Sequence, residues 1–278
     1  LGQEDAGLGI MHNRKEFHQS KKDPRKNKDT SWDRVANWYD SQVESAADYH
    51  VKLIFPNTLK LLLPKPGEKI LDIGCGQGAF CRLMADCGAN VTGIDASTKL
   101  ITLANQRTPQ KLKINYLVGD ATRLDKIPDH YFDAAVSILA IQNMDPMAAV
   151  VGSAARVLKP GGKLLLVLNH PCFRIPRQSG WGVDEKRKLR YRRIDRYLSP
   201  LQIPIKMHPG AAPEIHTWTF HHPLGDYFSA FNQSGFAVTQ LEEWASNRQS
   251  QPGKFAKPEN QSREEIPLFL AIVAQKNS

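Results

Sequence analysis

The chain has 278 residues, a formal net charge of +9 and an apolar content of 41%, enough for a core in one large domain or one domain with a cap. No apolar run approaches the ~20 residues that cross a bilayer, and no charged segment followed by an apolar one marks a secretory signal, so a cytoplasmic protein without a membrane partner is expected. Four cysteines without a Cys-x-x-Cys pair do not suggest a disulfide framework and offer no zinc motif, so no metal is expected.

Residues 1–29 read as a basic flexible tail. Arg14, Lys15, Lys21, Lys22, Arg25, Lys26 and Lys28 stand against Glu16 and Asp23, with few apolar residues between them. Such a tail can bind nucleic-acid phosphates, or it is simply solvated. Thr30 or Ser31 can cap a helix from Trp32, where Trp32, Val35, Ala36 and Tyr39 share one face. A second helix spans about Tyr49 to Leu63 and stops before Pro64-Lys65-Pro66-Gly67.

The stretch Lys69-Ile70-Leu71-Asp72-Ile73-Gly74-Cys75-Gly76-Gln77-Gly78 is an apolar strand ending in an acid, then a glycine turn into a helix, Ala79 to Cys87. Glycines let the backbone approach a ligand, and helix-start N–H groups face it. The spacing also fits the dinucleotide fingerprint, with Ala79 as its last position. Asp72 tips the balance, because a carboxylate is awkward beside a pyrophosphate and suits a cationic ligand. Val91-Thr92-Gly93-Ile94-Asp95 is a second strand whose terminal acid suits a ribose. Tyr116 to Ala121 is a third, ending in Asp120, an acceptor for an adenine amino group. Phe132 to Ala140 is a nearly continuous apolar strand. A helix from about Pro146 to Leu158, the turn Lys159-Pro160-Gly161-Gly162 and a strand to about residue 169 follow. The alternation predicts a doubly wound, mostly parallel sheet with its functional loops along the carboxyl edge.

Residues 170–222 break the pattern and are too long for an ordinary connection, so they read as an inserted substrate cap on a core of residues 30–169. Lys186 to Tyr197 holds seven cations against one acid, interleaved with Tyr191 and Tyr197 and preceded by Trp181. It reads as a handle for a phosphate- or carboxylate-bearing acceptor, for RNA, or as a basic hairpin paired to acids of the core such as Glu242, Glu243, Glu264 and Glu265. Residues 223–278 complete the core with a helix from Pro223 to Ser234, an alternating strand Phe236 to Glu242, a polar excursion over residues 245–264 and a last strand from Pro267 to Ala274.

In this order LDIGCGQG, VTGIDAS, VGDA, FDAAVSILA and ARVLKPGGKLLLVLNH resemble the class I S-adenosylmethionine-dependent methyltransferases, in the broad group that includes ubiquinone- and menaquinone-pathway enzymes. The resemblance covers about residues 32–170 and the C-terminal strand pair. It implies a Rossmann-like α/β sheet of about seven strands with an antiparallel C-terminal strand. It also implies S-adenosyl-L-methionine as cofactor and S-adenosyl-L-homocysteine as product. The residues that would hold the cofactor are Tyr39, as a lid, with Asp72, Gly74, Cys75, Gly76, Asp95, Ala96, Asp120, Ala121 and Ile138.

A base for a hydroxyl or acidic-carbon acceptor would come from His170, just after the fifth strand, or from His221 and His222 before the late helix; His208 and His216 are weaker candidates. Asn169-His170-Pro171 is not the Asn-Pro-Pro-Tyr type of motif of base-amino methyltransferases. The leading expectation is methyl transfer to a small anionic or aromatic molecule. RNA, reached through the tail and cap, is the alternative. A non-catalytic cofactor-binding protein and a dehydrogenase stand behind these.

Overall fold

The computed structural model describes residues 32–33, 49–205 and 217–278. The basic tail, Tyr39 and its helix, His208 and His216 lie outside the described residues. Of the expected first helix only Trp32 and Asp33 are described, as a turn. Asp33 Oδ1 accepts from the Ser97 hydroxyl and from the Lys99 N–H.

A short π-helical segment, His50–Ile54, runs into α1 (Phe55–Leu62), which is closed by Leu63 in the left-handed conformation. Strands β1 (Lys69–Ile73), β2 (Asn90–Asp95) and β3 (Asn115–Val118) alternate with α2 (Ala79–Asp86) and α3 (Thr98–Arg107). Ser97 caps α3 by accepting from the Leu100 N–H at 3.1 Å. Then come β4 (Phe132–Ile138), a 3₁₀ turn (Ile141–Asn143), α4 (Met147–Val157) and β5 (Leu158–Asn169). Lys159 to Gly162 lie within β5 rather than in a separate turn, with Gly161 at φ 72°.

Residues 170–222 contain two hairpins, β6 (Ser179–Asp184) with β7 (Leu189–Ile194) and β8 (Leu201–Ile205) with β9 (Thr217–His221). Helix α5 (Leu224–Gln233) leads to β10 (Phe236–Trp244), and β11 (Phe269–Lys276) ends the fold. Between those strands the polar excursion holds α6 (Ala256–Glu265), which packs on β7.

The main sheet has seven strands in the order β10-β11-β5-β4-β1-β2-β3, and β11 alone runs antiparallel to its neighbours. Alternation along each strand divides the core into two layers. Leu164, Leu166 and Leu168 join α4 and α5 on one side, while Leu165 and Val167 join α1 and α2 on the other. The chain passes from β1 to β2 and β3, then returns to β4 on the other flank of β1. The sheet order therefore reverses at the carboxyl ends of β1 and β4, where an open α/β sheet leaves a crevice. No helix among the described residues is long and apolar enough to cross a membrane.

Candidate functional site

The crevice lies above the glycine loop. It is lined by Asp72, Gly74, Cys75 and Gln77 from the loop, Ala79 and Phe80 from α2, Ile138 at the end of β4, and His50 and Phe55 from the N-terminal helical segment. Gly74 and Gly78 have φ of 77° and 78°, a region in which side chains are strained. A Cβ at Gly74 would lie 2.5 Å from Ala140 Cβ, and one at Gly78 would lie 2.3 Å from the Tyr116 hydroxyl. The loop is thus glycine-rich both to turn and to nest against β3 and the segment after β4.

Asp72 is 2% exposed, on the face of β1 that meets α2. Cys81 Sγ donates to its Oδ2 at 3.2 Å. Burial outweighs that weak donor, and with Asp95 nearby it pushes the carboxyl up to about 7. The neighbouring thiols are pushed up as well, mainly by burial, Cys75 to about 11 and Cys81 well above its usual value, so both stay protonated.

Asp95, at the tip of β2, receives the Gly76 N–H on Oδ2 at 2.9 Å and the Ser97 N–H on Oδ1 at 2.8 Å. It ties the glycine loop to the start of α3. Burial raises its pKa, against the pull of those N–H groups. Ala96 beside it is exposed. Asp120 is exposed and turns its Oδ1 to the Thr122 N–H (2.8 Å) and hydroxyl (2.7 Å), with Ala121 buried next to it. Asp72, Asp95 and Asp120 thus stand at the carboxyl ends of three adjacent parallel strands.

Of the lining residues, His50, Phe55, Gln77 and Phe80 were not expected from the sequence, and two of them carry polar groups. Gln77 was visible inside the glycine motif, but its role depends on a side-chain orientation that no spacing encodes. It is 1% exposed, with Oε1 held by Arg82 and a buried Nε2 that has no hydrogen-bond partner. His50 carries no sequence motif, and only the structure places it, on a π-helical segment, a conformation frequent at functional sites.

The candidate bases differ in geometry. His170 is 2% exposed, with Nε2 2.7 Å from Glu243 Oε1 and Nδ1 accepting the Cys172 N–H at 3.2 Å. Both ring nitrogens of His170, an expected base, are engaged, and the ring links the end of β5 to β10. Burial lowers its pKa, and Glu243 works against that shift. His221 lies 2.6 Å by Nε2 from the Tyr197 carbonyl oxygen and is likewise held down chiefly by burial. His222 turns Nδ1 to Asp226 Oδ2 at 3.2 Å, and its buried Nε2 has no partner. Because a carboxylate only accepts, the Asp226 contact places the proton on Nδ1 of the neutral ring and leaves Nε2 as an unfilled acceptor.

The cationic hairpin is turned around relative to the expectation of an open handle. Arg190 and Arg192 stack on Trp181 at 4.7 and 5.2 Å. Arg190 pairs with Glu259 of α6 at 3.3 Å, while Arg192 donates to the Phe173 carbonyl oxygen and the Ser179 hydroxyl. Within the hairpin region Arg187 pairs with Asp184 and Arg193 with Asp195, and the acid that reaches it from the C-terminal part of the chain is Glu259 rather than Glu242, Glu243, Glu264 or Glu265. Leu189 and Tyr191, on the opposite face of β7, are 42% and 48% exposed. Among the described residues no cluster of His, Cys, Asp or Glu is placed to hold a metal, and the four cysteines are free thiols.

Comparisons with known proteins find methyltransferases. Residues 71–166, from β1 into β5, match the family described as a methyltransferase domain. A demethylmenaquinone methyltransferase of Tropheryma whipplei is 37% identical over 115 residues, 40% of this chain and 46% of that protein. A ubiquinone biosynthesis O-methyltransferase of Xanthomonas oryzae pv. oryzae is 29% identical over 152 residues, 54% of this chain and 61% of that protein. The aligned region spans about half the length of the curated relatives it matches. The crystal structure of an S-adenosylmethionine-dependent methyltransferase from Mesorhizobium loti is 31% identical, with a TM-score of 0.64, covering 79% of this chain and 96% of that one.

Proposed function

We propose, from the premise that this chain belongs to the class I S-adenosylmethionine-dependent methyltransferases, that it methylates a small aromatic or anionic acceptor held between the carboxyl edge and the two hairpins. S-adenosylmethionine is the cofactor of the family, and the residues present fit it: a buried acid for an ammonium, an acid at the tip of β2 for a ribose diol, and an orphaned N–H in the same pocket. When bound, it supplies an activated methyl group on a sulfonium with a neutral leaving group. The chain's own task is to hold the acceptor in line and close, which lowers the barrier by roughly 7–11 kcal/mol at best.

The observation that carries the reading is the convergence of Asp72, the glycine loop and Asp95 at the point where the sheet order reverses. The quinone-pathway relatives support a small acceptor, and so does the inward turn of Arg190 and Arg192, which leaves the hairpin with fewer free cations for RNA. Hairpin β8–β9 is laid over the edge, where the Thr219 hydroxyl donates to Asn143 Oδ1 at 2.7 Å on the turn after β4. His222 follows directly. We assign it the part of proton acceptor for an acceptor hydroxyl, with Asp226 orienting its ring.

The test has two stages. Calorimetric titration with S-adenosylmethionine, S-adenosylhomocysteine and NAD should give binding of both adenosyl ligands and none of NAD. Transfer of a labelled methyl group is then measured on phenols, hydroquinones, aromatic carboxylates and total RNA, with the full chain and with residues 1–28 deleted. Transfer to a small aromatic that survives the deletion supports the reading; transfer to RNA alone, abolished by the deletion and by salt, sinks it.

A further inference from the structure

We propose that the Gln77 side-chain amide is the ligand of the carboxylate of S-adenosylmethionine, and that Arg82 is the positioning residue that aims it. The inference rests on the methyltransferase reading above and adds a ligand contact to it.

Gln77 stands between Gly76 and Gly78 and lines the pocket together with Asp72. Arg82, on α2, donates from Nη1 to the Gln77 carbonyl oxygen at 2.9 Å and from Nη2 to Gln77 Oε1 at 3.0 Å. A guanidinium has donors only, so Oε1 must face it and Nε2 must face away. The orientation of the amide is thereby set by chemistry. Nε2 is then a buried donor without a partner, a costly state that a native structure keeps where a ligand fills it.

The chemistry of the pocket says which ligand atom fits. Asp72 supplies an acceptor for a cation, while Gln77 and the first turn of α2, where Ala79 and Phe80 line the same pocket, supply donors for an anion. An amino-acid end with an ammonium and a carboxylate matches both at once. Among the described residues that line the pocket none is a lysine or arginine, and there a neutral N–H reinforced by the helix start supplies the donor.

The experiment compares S-adenosylmethionine with its decarboxylated form, which keeps the ammonium, sulfonium and adenosine and lacks only the carboxylate. Calorimetry on the full wild-type chain should show S-adenosylmethionine binding about tenfold or more tightly, the range of a hydrogen bond to a charged group. Gln77→Leu should lower that affinity about tenfold and leave the decarboxylated ligand unchanged. Gln77→Glu should lower it further by like-charge repulsion while sparing the decarboxylated ligand. Arg82→Leu should act in the same direction as Gln77→Leu, since it frees the amide to rotate. Equal wild-type affinity for the two ligands overturns the assignment without any variant, and so does a Gln77→Leu loss shared equally by both. Failure of the wild type to bind either ligand would instead overturn the methyltransferase reading.

Discussion

Cys81 donates its thiol hydrogen to Asp72 Oδ2 at 3.2 Å, so the one charged residue of β1's inner face leans on a weak donor from α2. A thiol does little for a buried carboxylate, and the acid sits near 7. Below that pH the group is neutral and attracts an ammonium weakly. Affinity for S-adenosylmethionine should therefore fall as the pH drops from 8 to 6, and binding near pH 7 should release a proton. Calorimetry in two buffers of different ionisation enthalpy reads both effects.

The same shift makes a stability prediction. The folded-state pKa of Asp72 lies above its unfolded value, so its stabilising contribution is full at low pH and is lost as pH rises from about 4 through about 7. Asp72→Asn removes that loss. It should stabilise the fold by up to about 4 kcal/mol at pH 8, with the gain shrinking toward zero near pH 4, while weakening cofactor binding. Denaturant titrations of both proteins at the two pH values check this.

Asp95 holds the Gly76 N–H and the Ser97 N–H, so its loss both removes a ribose acceptor and unties the glycine loop. Asp95→Ala should weaken binding of S-adenosylhomocysteine by about 30-fold or more, since hydrogen bonds to an ionised group contribute about 1.5–3 kcal/mol each. Asp95→Asn should fall between the two. The quantity to measure is the calorimetric dissociation constant.

The histidines should separate by phenotype. His170→Ala breaks a buried link to Glu243 and should lower the unfolding temperature by several degrees. His222→Gln should leave the unfolding temperature close to wild type and cofactor affinity unchanged, yet lower kcat on a hydroxyl acceptor by about 10²-fold or more. Asp226→Asn should follow with a smaller loss. Thermal scans and steady-state kinetics on the best acceptor distinguish them, and a His222→Gln enzyme with full kcat would remove its assigned role.

Trp181 is the plate on which Arg190 and Arg192 both rest. Trp181→Ala should free the hairpin from α6 and raise trypsin cleavage at Lys186, Arg187 and Lys188 several-fold. The rest of the fold should remain resistant. Limited proteolysis with mass spectrometry reads the outcome.

The core and the hairpins were unequally legible in the sequence. Strand β1 and the glycine loop could be read residue by residue, because an apolar run, an acid and glycines at fixed spacing reflect backbone needs that are local. The hairpins could not be read in the same way. Seven cations between Lys186 and Tyr197 look like an open basic surface, and alternation alone does not say which face of a two-stranded ribbon meets the protein. Arg190 and Arg192 face inward because Trp181 and Glu259 wait there, and Glu259 lies on a helix about 70 residues later, in a segment that composition presented as a polar loop.

By itself, then, the sequence determined the order of the core strands and the helices between them, and the acids at the tips of β1, β2 and β3. Each of these follows from side-chain period, turn chemistry and the handedness of crossovers. Only the tertiary structure decided which histidine keeps an unfilled nitrogen, which way the hairpin's arginines face and where the Gln77 amide points. Those depend on partners brought together from distant parts of the chain, such as Glu243 on His170, and on the desolvation that their packing imposes.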